Sequence, residues 1–181
     1  MERDDIIGFI DESSPQTTAN TVRMWSFNKP VRIKNTSKYR ANTFGFYSLN
    51  GKSTVEFHEH SKKEDVMCFL EGIRSKNPER RIVAIIDNFK SHHSLKTKEK
   101  ADELGILLVF LPPYSPDLNP IEFIWKSIRA QISSEFIWSE EYLKFLVSNL
   151  FHRFSGSRSF AKAWIPKFLS EEFIKCNQLS T

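Results

Sequence analysis

Short apolar runs along the chain predict the strands of one sheet. Three of these runs lie at residues 6–10, 82–86 and 106–111. Runs that are apolar on both faces are typical of central, buried parallel strands covered by helices on either side. Residues 43–49 and 52–58 predict a β-hairpin, because Asn50-Gly51 between them is a typical type I′ turn pair. We therefore expect a mixed sheet in which the hairpin pairs beside the first strand and is antiparallel to it.

Apolar residues at helical spacing predict the helices that pack on this sheet. Ser61 opens a capping-box pattern at the start of a first helix. A charged helix begins at about Ser94 and is closed by Gly105. Ser139 caps a later helix, and residues 155–181 add a last helical segment whose task the sequence leaves open.

A proline-rich stretch, residues 111–122, links the last strand to a further helix. Its prolines and its Ser-Pro-Asp turn exclude both helix and central strand. Asn119 is placed to cap the new helix, with Pro120 at its first position. The buried stripe of that helix is expected to comprise Ile121, Ile124, Trp125, Ile128 and Ile132. Glu122 then lies in the first turn, just past the C-terminal edge of the sheet, where open α/β sheets place their chemistry.

Two aspartates directly follow the apolar runs. Asp11 ends the run at residues 6–10, and Asp87 ends the run at residues 82–86. If the two strands are neighbours, their ends lie about 5 Å apart. Two carboxylates at that separation repel unless they are protonated or bridged by a cation. Together with Glu122 they offer three hard oxygen ligands, which suits Mg²⁺ or Mn²⁺.

Each of these acids also has a simpler explanation. A single Asp after a strand is more often a turn or cap residue. Glu122 after Asn119 approximates a capping box and suits the positive end of the helix dipole. The convergence of three acids on the C-terminal ends of predicted elements nevertheless favours a metal site.

Four other polar residues lie near the acids in the sequence. Asn88 and Asn119 are candidates for supporting the acids from outside, and Asn88 could steady Asp87 or a phosphate. His92 and His93 are interpreted as surface or helix-cap residues, because neutral imidazole adds little to an oxygen-rich Mg²⁺ site.

Basic residues are concentrated in one part of the chain. No acidic residue lies between Glu12 and Glu56. A cationic strip of this kind makes phosphate contacts without reading bases, whereas the alternative is a loop and edge strand kept soluble by lysine. We favour DNA as the partner of this segment. The candidate contact residues are Arg23, Lys29, Arg32, Lys34, Lys38 and Arg40.

Two further basic residues, Lys126 and Arg129, share the helix face of Glu122, at four and seven positions from it. They are either ordinary partners of Glu122 on an exposed helix or a cationic rail for DNA beside the metal site. The sequence leaves these two interpretations open.

Composition places the chain among globular proteins of one domain. It has 181 residues, of which 40% are apolar, and a net charge of +4. Cys68 and Cys176 form no zinc-binding pattern and are interpreted as reduced thiols of a cytosolic protein. No apolar stretch reaches the ~18 residues of a membrane span, so no membrane partner is expected.

Three groups of residues resemble the catalytic domain of mariner-superfamily transposases. They are Asp11-Glu12-Ser13 after a strand, Asp87-Asn88 followed by His92, and the proline-rich motif that continues through Glu122 to Trp125. The resemblance is closest to the prokaryotic insertion-sequence branch, in which the spacing of 34 residues between the second and third acids is typical. It covers roughly residues 5–135.

This resemblance implies a ribonuclease H-like α/β fold, with a five-stranded mixed sheet and helices on both faces. The core would span residues 1–135, and residues 136–181 would form a helical extension packed on the same domain. The implied activity is metal-dependent phosphoryl transfer on DNA, with two Mg²⁺ or Mn²⁺ ions held by Asp11, Asp87 and Glu122. Asp11 would bridge both ions, while Asp87 and Glu122 would each hold one.

The resemblance also implies partners. The expected partners are DNA, at transposon ends and at the target, and a second copy of the chain in a homodimer on DNA. The expected location is the cytoplasm, in association with the nucleoid. Relatives carry helix-turn-helix modules before the catalytic domain, whereas only a few residues precede the first strand here. End recognition is therefore expected from a separate or missing region. The alternatives are another ribonuclease H-like nuclease, or a decayed transposase domain that binds DNA without cutting it.

Overall fold

The computed structural model describes residues 4–17, 27, 35–88, 94–113 and 115–179, in which the strands lie in the first two thirds of the chain and the last four helices follow them. The strands are β1 (Ile6–Ser13), β2 (Thr43–Ser48), β3 (Thr54–Phe57), β4 (Ile82–Ile86) and β5 (Ile106–Phe110). The helices are α1 (Lys63–Lys76), α2 (Leu95–Glu103), α3 (Ile121–Ile132), α4 (Glu140–Ser155), α5 (Ile165–Phe168) and α6 (Glu171–Cys176). Short 3-10 turns lie at Pro116–Leu118 and Ser159–Ala161.

The strands form one mixed sheet in the order β3-β2-β1-β4-β5. β1, β4 and β5 are parallel to one another, while β1, β2 and β3 pair in antiparallel fashion. The prediction of a five-stranded mixed sheet, with the hairpin beside the first strand, is therefore confirmed. β1 is the central strand and carries the switch from parallel to antiparallel pairing.

Alternate residues of the strands build two separate hydrophobic clusters, one on each face of the sheet. Ile7 and Phe9 of β1 point to one face, where they join residues of α3 and α4. Ile6 and Ile10 point to the other face, where they join residues of α1 and α2. Side chains of a strand alternate between faces, so a strand buried on both sides must be apolar throughout. That requirement explains the uninterrupted apolar runs of β1 and β4.

The third helix lies unusually close to the sheet. Trp125 of α3 is fully buried, and its ring lies over Gly45 of β2. A Cβ atom at Gly45 would come within 2.5 Å of Trp125 Cζ2, so only glycine admits this approach. Phe151 of α4 packs beside the indole, with ring centroids 5.3 Å apart. The predicted buried stripe of α3, which includes Trp125, is confirmed.

The turn between β2 and β3 differs from the prediction. A type I′ turn needs positive φ at both central residues, but within the described residues positive φ occurs only at Gly105 and Gln178. The Asn50 side chain is used differently. Its Oδ1 accepts a hydrogen bond from Ile7 N at 2.9 Å, and its Nδ2 donates to Asp5 O at 2.9 Å. Asn50 therefore fastens a longer loop to β1 instead of forming a tight turn.

Two predicted helix caps are also wrong. α1 is capped at Lys62, whose backbone N–H donates to the carboxylate of Asp65 at 3.0 Å, while Ser61 bonds to Asn42. α3 begins at Ile121, one residue later than expected, and the Asn119 side chain does not cap it. In both cases a tertiary partner takes the polar side chain that the local pattern assigned to the cap.

The last strand is only half covered. β5 was expected to be buried, but it lies at the edge of the sheet, where Leu107 and Val109 are 47% and 41% exposed.

Within the described part of the chain, no helix combines the length and the apolar character that crossing a bilayer requires.

Candidate active site

The parallel pairing of β1 and β4 places two aspartates side by side. Ile10 pairs with Ile86, so the next residues, Asp11 and Asp87, lie on neighbouring strands at the same level of the sheet. β1 does not end there, as the sequence suggested, because residues 11–13 continue to pair with β2. Asp11 is therefore fixed within a central strand and only 7% exposed, whereas Asp87 follows the end of β4 and is half-buried.

The third acid comes from the loop that follows β5. The backbone N–H of Leu111 donates to Ile86 O at 2.8 Å, which keeps the start of this loop beside β4. The buried side chain of Asn119 donates to Ile10 O at 3.5 Å, next to Asp11. Two residues later α3 begins, and Glu122 is its second residue. The loop is thus held to β1 at the point from which Glu122 reaches the two aspartates.

These acids line one cleft at the C-terminal edge of the parallel strands. The cleft has a volume of about 380 Å³. It is lined by Asp11, Asp87, Asn88, Asn119, Glu122 and residues of the proline-rich loop. The cleft therefore brings together all five residues that the sequence predicted here, the three acids and the two supporting asparagines. His92 and His93 lie outside the described residues.

The surroundings of Asp11 in the cleft disfavour the charged form of its carboxyl group. Burial raises the pKa of the Asp11 carboxyl well above its usual range, and the negative charges of Glu122 and Asp87 raise this pKa further. A hydrogen bond from the backbone of Glu12 acts in the opposite direction. Among the described residues, Asp11 Oδ2 and Asn119 Oδ1 are buried side-chain oxygens that have no hydrogen-bond partner. Buried oxygens of this kind are normally paired.

The oxygen atoms that line the cleft are of the kinds that bind a divalent cation. Carboxylate and amide oxygens are the ligands that Mg²⁺ and Mn²⁺ prefer. A positive charge would also remove the repulsion among the acids. Within the described residues, no three His, Cys, Asp or Glu side chains lie close enough together to hold one metal ion. The acids therefore surround an open cleft, and the chemical type of their oxygen atoms suits a hard cation.

One basic residue of α3 is tied to the cleft. Arg129 Nη1 donates to Ser13 Oγ at 3.0 Å, and Arg129 Nη2 lies 4.0 Å from Glu122 Oε2. This contact of Ser13 could not be predicted, because nothing in the apolar pattern shows that β1 continues past Asp11. A half-exposed ion pair of this length stabilises the fold by at most about 1 kcal/mol. The pair places the positive charge of Arg129 between Ser13 and Glu122, at the edge of the cleft.

The other candidates for DNA contact are only partly described. Lys38, Arg40 and Lys126 are exposed, and Arg40 Nη2 donates to Ser14 Oγ at 3.0 Å, close to the end of β1. Arg23, Lys29, Arg32 and Lys34 lie outside the described residues.

A family model described as "DDE superfamily endonuclease" matches residues 7–144. Solved structures of the transposase Mos1 are similar over nearly the whole chain. A paired-end complex with the left transposon end is 19% identical, with a TM-score of 0.63, and the match covers 95% of this chain and 54% of that one. A mariner Mos1 paired-end complex with Mg is 17% identical, with a TM-score of 0.66 and coverage of 97% and 55%.

The Mos1 catalytic domain with raltegravir and Mn is 18% identical, with a TM-score of 0.63 and coverage of 95% and 81%. These likenesses confirm the ribonuclease H-like fold of the mixed sheet and its helices. The chain spans about half the length of the Mos1 chains in the paired-end complexes. Comparison with curated protein sequences gives no match.

Proposed function

Because this chain belongs to the DDE superfamily endonuclease family, we propose that it is the catalytic domain of a DNA transposase, which cuts and joins DNA strands at transposon ends. The similar Mos1 structures include a paired-end complex with a transposon end and a strand transfer complex. Their fold is the fold of this chain, which supports carrying the same class of reaction over to it.

The observation that carries this proposal is the convergence of Asp11, Asp87 and Glu122 on one cleft. They come from a central strand, from the end of its parallel neighbour and from the first turn of α3. A fold needs no buried carboxylate with an unpartnered oxygen at this position, and such a group destabilises the native state. Unfavourable groups of this kind are concentrated at functional sites.

We assign Asp11, Asp87 and Glu122 as the side chains that would hold two divalent cations, Mg²⁺ or Mn²⁺. Mos1 structures with Mg and with Mn support the choice of a divalent ion. When bound, a cation pair lowers the pKa of an attacking water or hydroxyl and stabilises the leaving oxygen of the phosphate. Asp11 would hold the cations from the central strand, while Asp87 and Glu122 would hold them from the end of β4 and from the first turn of α3.

The remaining residues of the cleft position these acids. Asn119 links the loop to β1 through Ile10 O, so the start of α3 cannot shift relative to Asp11 without breaking that bond. Arg129 holds Glu122 from the exposed side while it is bonded to Ser13. Asn88 lines the cleft beside Asp87, where its amide can hold the acid or a DNA phosphate.

We further propose that the chain belongs to the prokaryotic insertion-sequence branch and acts as a homodimer on DNA in the cytoplasm. Residues 1–135 would be the catalytic core and residues 136–181 its helical extension. Transposon ends would be recognised by a separate helix-turn-helix region. The proline-rich motif and the spacing of the acids support the branch, and the basic composition supports a DNA partner.

The salt dependence of DNA affinity tests whether the acid-free segment of residues 13–55 contacts the DNA backbone. Each phosphate contact contributes about −0.9 to the slope of log K against log salt for duplex DNA. Replacing Arg32, Lys34 and Lys38 by alanine should therefore flatten the slope by nearly three, and the melting temperature should change little, because charges that contact DNA instead of the rest of the chain contribute little stability. Titrations of labelled duplex at several salt concentrations measure this slope. An unchanged slope with poorer solubility would instead indicate a solvated edge.

Strand cleavage tests the proposed reaction. Purified protein is incubated with supercoiled DNA, and separately with an RNA–DNA hybrid, in the presence of Mg²⁺, Mn²⁺ or a chelator. We expect nicking of DNA that requires the divalent ion and is lost in Asp87→Asn. Preference for the hybrid would indicate a ribonuclease of the same fold.

Binding of DNA without cleavage under any of these conditions would indicate a non-catalytic domain. An Asp102→Asn variant is the matched control, since Asp102 is an exposed residue of α2 outside the cleft. Loss of activity in Asp102→Asn as well would mean that the losses are not specific to the acids of the cleft.

A further inference from the structure

A second concavity lies on the outer side of α3, separate from the acid cleft. It has a volume of about 810 Å³. One wall is formed by α3, and the other by residues 159–163, which lie between α4 and α5, and by Pro166 of α5. Among the described residues that line it, none is acidic. The side chains that concern us are Phe123, Lys126, Ser127, Ser159, Phe160 and Lys162. We refer to this concavity as the α3 groove.

The α3 groove exposes an aromatic ring that the fold does not need to expose. Phe123 is 45% exposed in the first turn of α3. On the opposite wall, Phe160 is half-buried and fixed by an edge contact with Phe154, with centroids 5.9 Å apart. Scattered exposed aromatics need no explanation, but two that line one groove indicate a binding surface.

The charge of the α3 groove selects the kind of partner. Lys126 and Lys162 are both exposed and lie on opposite walls, and the described lining has no carboxylate to neutralise them. A second copy of the chain or an ordinary peptide would have to place its own acids there. A nucleic acid strand provides a phosphate for each lysine and a flat base for each ring.

The α3 groove adjoins the acid cleft. Phe123 is the residue directly after Glu122, and Lys126 lies one turn further along the same helix face as Glu122. A DNA strand with one phosphate at the acids can therefore continue over the first turn of α3 into this groove. The lining of the groove overlaps with the lining of the cleft at no residue, so the two sites are distinct surfaces of one helix.

We propose that the α3 groove binds an unpaired nucleotide of a DNA single strand that continues from the acid cleft. The base stacks on Phe123 and Phe160, and the flanking phosphates contact Lys126 and Lys162. This inference rests on the proposed function for its substrate, DNA, but the binding itself needs neither cleavage nor a metal ion. The volume of the α3 groove falls within the roughly 300–1,000 Å³ that is typical of sites for small organic molecules.

The test is binding of a fluorescently labelled single-stranded oligothymidylate to the full chain, measured by anisotropy with a chelator present. Stacking of one base is worth about 1–3 kcal/mol, so Phe123→Ala should weaken binding roughly 5- to 150-fold with an unchanged salt slope. Phe123→Trp should retain the affinity. Lys162→Ala should flatten the salt slope by about 0.7, the value for one phosphate contact of a single strand.

The matched control is Phe145→Ala, which removes a ring that is 62% exposed on α4 and lies outside the groove. Its affinity should equal that of the unaltered chain, and the melting temperature of each variant checks that it is folded. An affinity unchanged by Phe123→Ala, or an equal loss in Phe145→Ala, would overturn the proposal. A change in self-association caused by Phe123→Ala, without a change in oligonucleotide binding, would overturn it in favour of a second copy as the occupant.

Cleavage of duplex DNA is measured separately on the same samples. Single-strand binding that depends on Phe123, in a chain that cuts no DNA with Mg²⁺ or Mn²⁺, supports the groove and refutes the proposed function. Cleavage by a chain whose single-strand binding is indifferent to Phe123 refutes the groove alone.

Discussion

Replacing Asp11 by asparagine is expected to lower metal-dependent DNA cleavage by at least about 1,000-fold, because a bound cation contributes several kcal/mol of charge stabilisation in the transition state. The same change should make the metal-free protein more stable. Asp11 is buried beside two other acids, and one of its oxygens has no hydrogen-bond partner among the described residues. Asparagine keeps the shape of the side chain and removes the charge.

The gain in stability should depend on pH in a defined direction. Burial, together with the charges of Glu122 and Asp87, raises the pKa of Asp11 in the folded state. The folded chain therefore keeps a proton on Asp11 at pH values where the unfolded chain has lost it. The contribution of Asp11 to stability is thus most favourable below its unfolded pKa of about 3.9 and falls as the pH rises through its folded pKa.

Thermal unfolding of Asp11→Asn and of the unaltered chain, from pH 4 to pH 8 with a chelator, measures this difference. We expect the variant's advantage in melting temperature to grow with pH. Mg²⁺ or Mn²⁺ should raise the melting temperature of the unaltered chain by mass action and have little effect on the variant. Asp102→Asn, at an exposed position, should show neither effect. A variant that is less stable than the unaltered chain at pH 8 would contradict the strain that we assign to Asp11.

Replacing Trp125 by alanine should produce the largest loss of stability of any change in α3. Trp125 is fully buried against Gly45 and Phe151, and truncating a buried tryptophan typically destabilises a protein by about 3–5 kcal/mol. For a chain of this size, each kcal/mol corresponds to about 2–4 °C in melting temperature, so a decrease of about 10 °C is expected. Gly45 cannot fill the space that the indole leaves.

Cleavage should also suffer in Trp125→Ala at temperatures where the variant is folded. Trp125 lies one turn after Glu122 on α3, and a displacement of about 1 Å in a catalytic group can lower the rate by about 100-fold. Circular dichroism melts and nicking assays at 15 °C separate these two effects. Trp138→Ala is the control, because Trp138 is 61% exposed and its removal leaves no cavity in the core. Similar losses in both variants would show that Trp125 has no special part in holding α3.

Much of the sheet could be predicted from the sequence because burial on both faces leaves a simple pattern. Strand residues that contact helices on both sides must be apolar at every position, as residues 6–10 of β1 and all of β4 are. The apolar stripe of α3 was predictable for the same reason. The two aspartates were identifiable because each directly follows an apolar run, and Glu122 because it follows the proline-rich loop into the apolar stripe of α3.

The sequence could not predict whether a polar side chain bonds to a neighbour along the chain or to a residue that is distant in sequence. Asn119 has the right position for a helix cap, but it bonds to the backbone of β1. Asn50 precedes a glycine as in a tight turn, but its amide pairs with the backbone of Ile7 and Asp5. The continuation of β1 to Ser13 depends in the same way on pairing with β2, which a local pattern does not record.

We claim above all that Asp11, Asp87 and Glu122 hold divalent cations together, and a crystal soaked in Mn²⁺ can show whether they do. Anomalous diffraction locates manganese without reference to the protein's activity. We expect anomalous peaks in the cleft, within about 2–2.5 Å of oxygens of all three carboxylates, with two ions about 4 Å apart. A cleft without peaks at millimolar Mn²⁺, or manganese bound only at other acids of the surface, would contradict the claim.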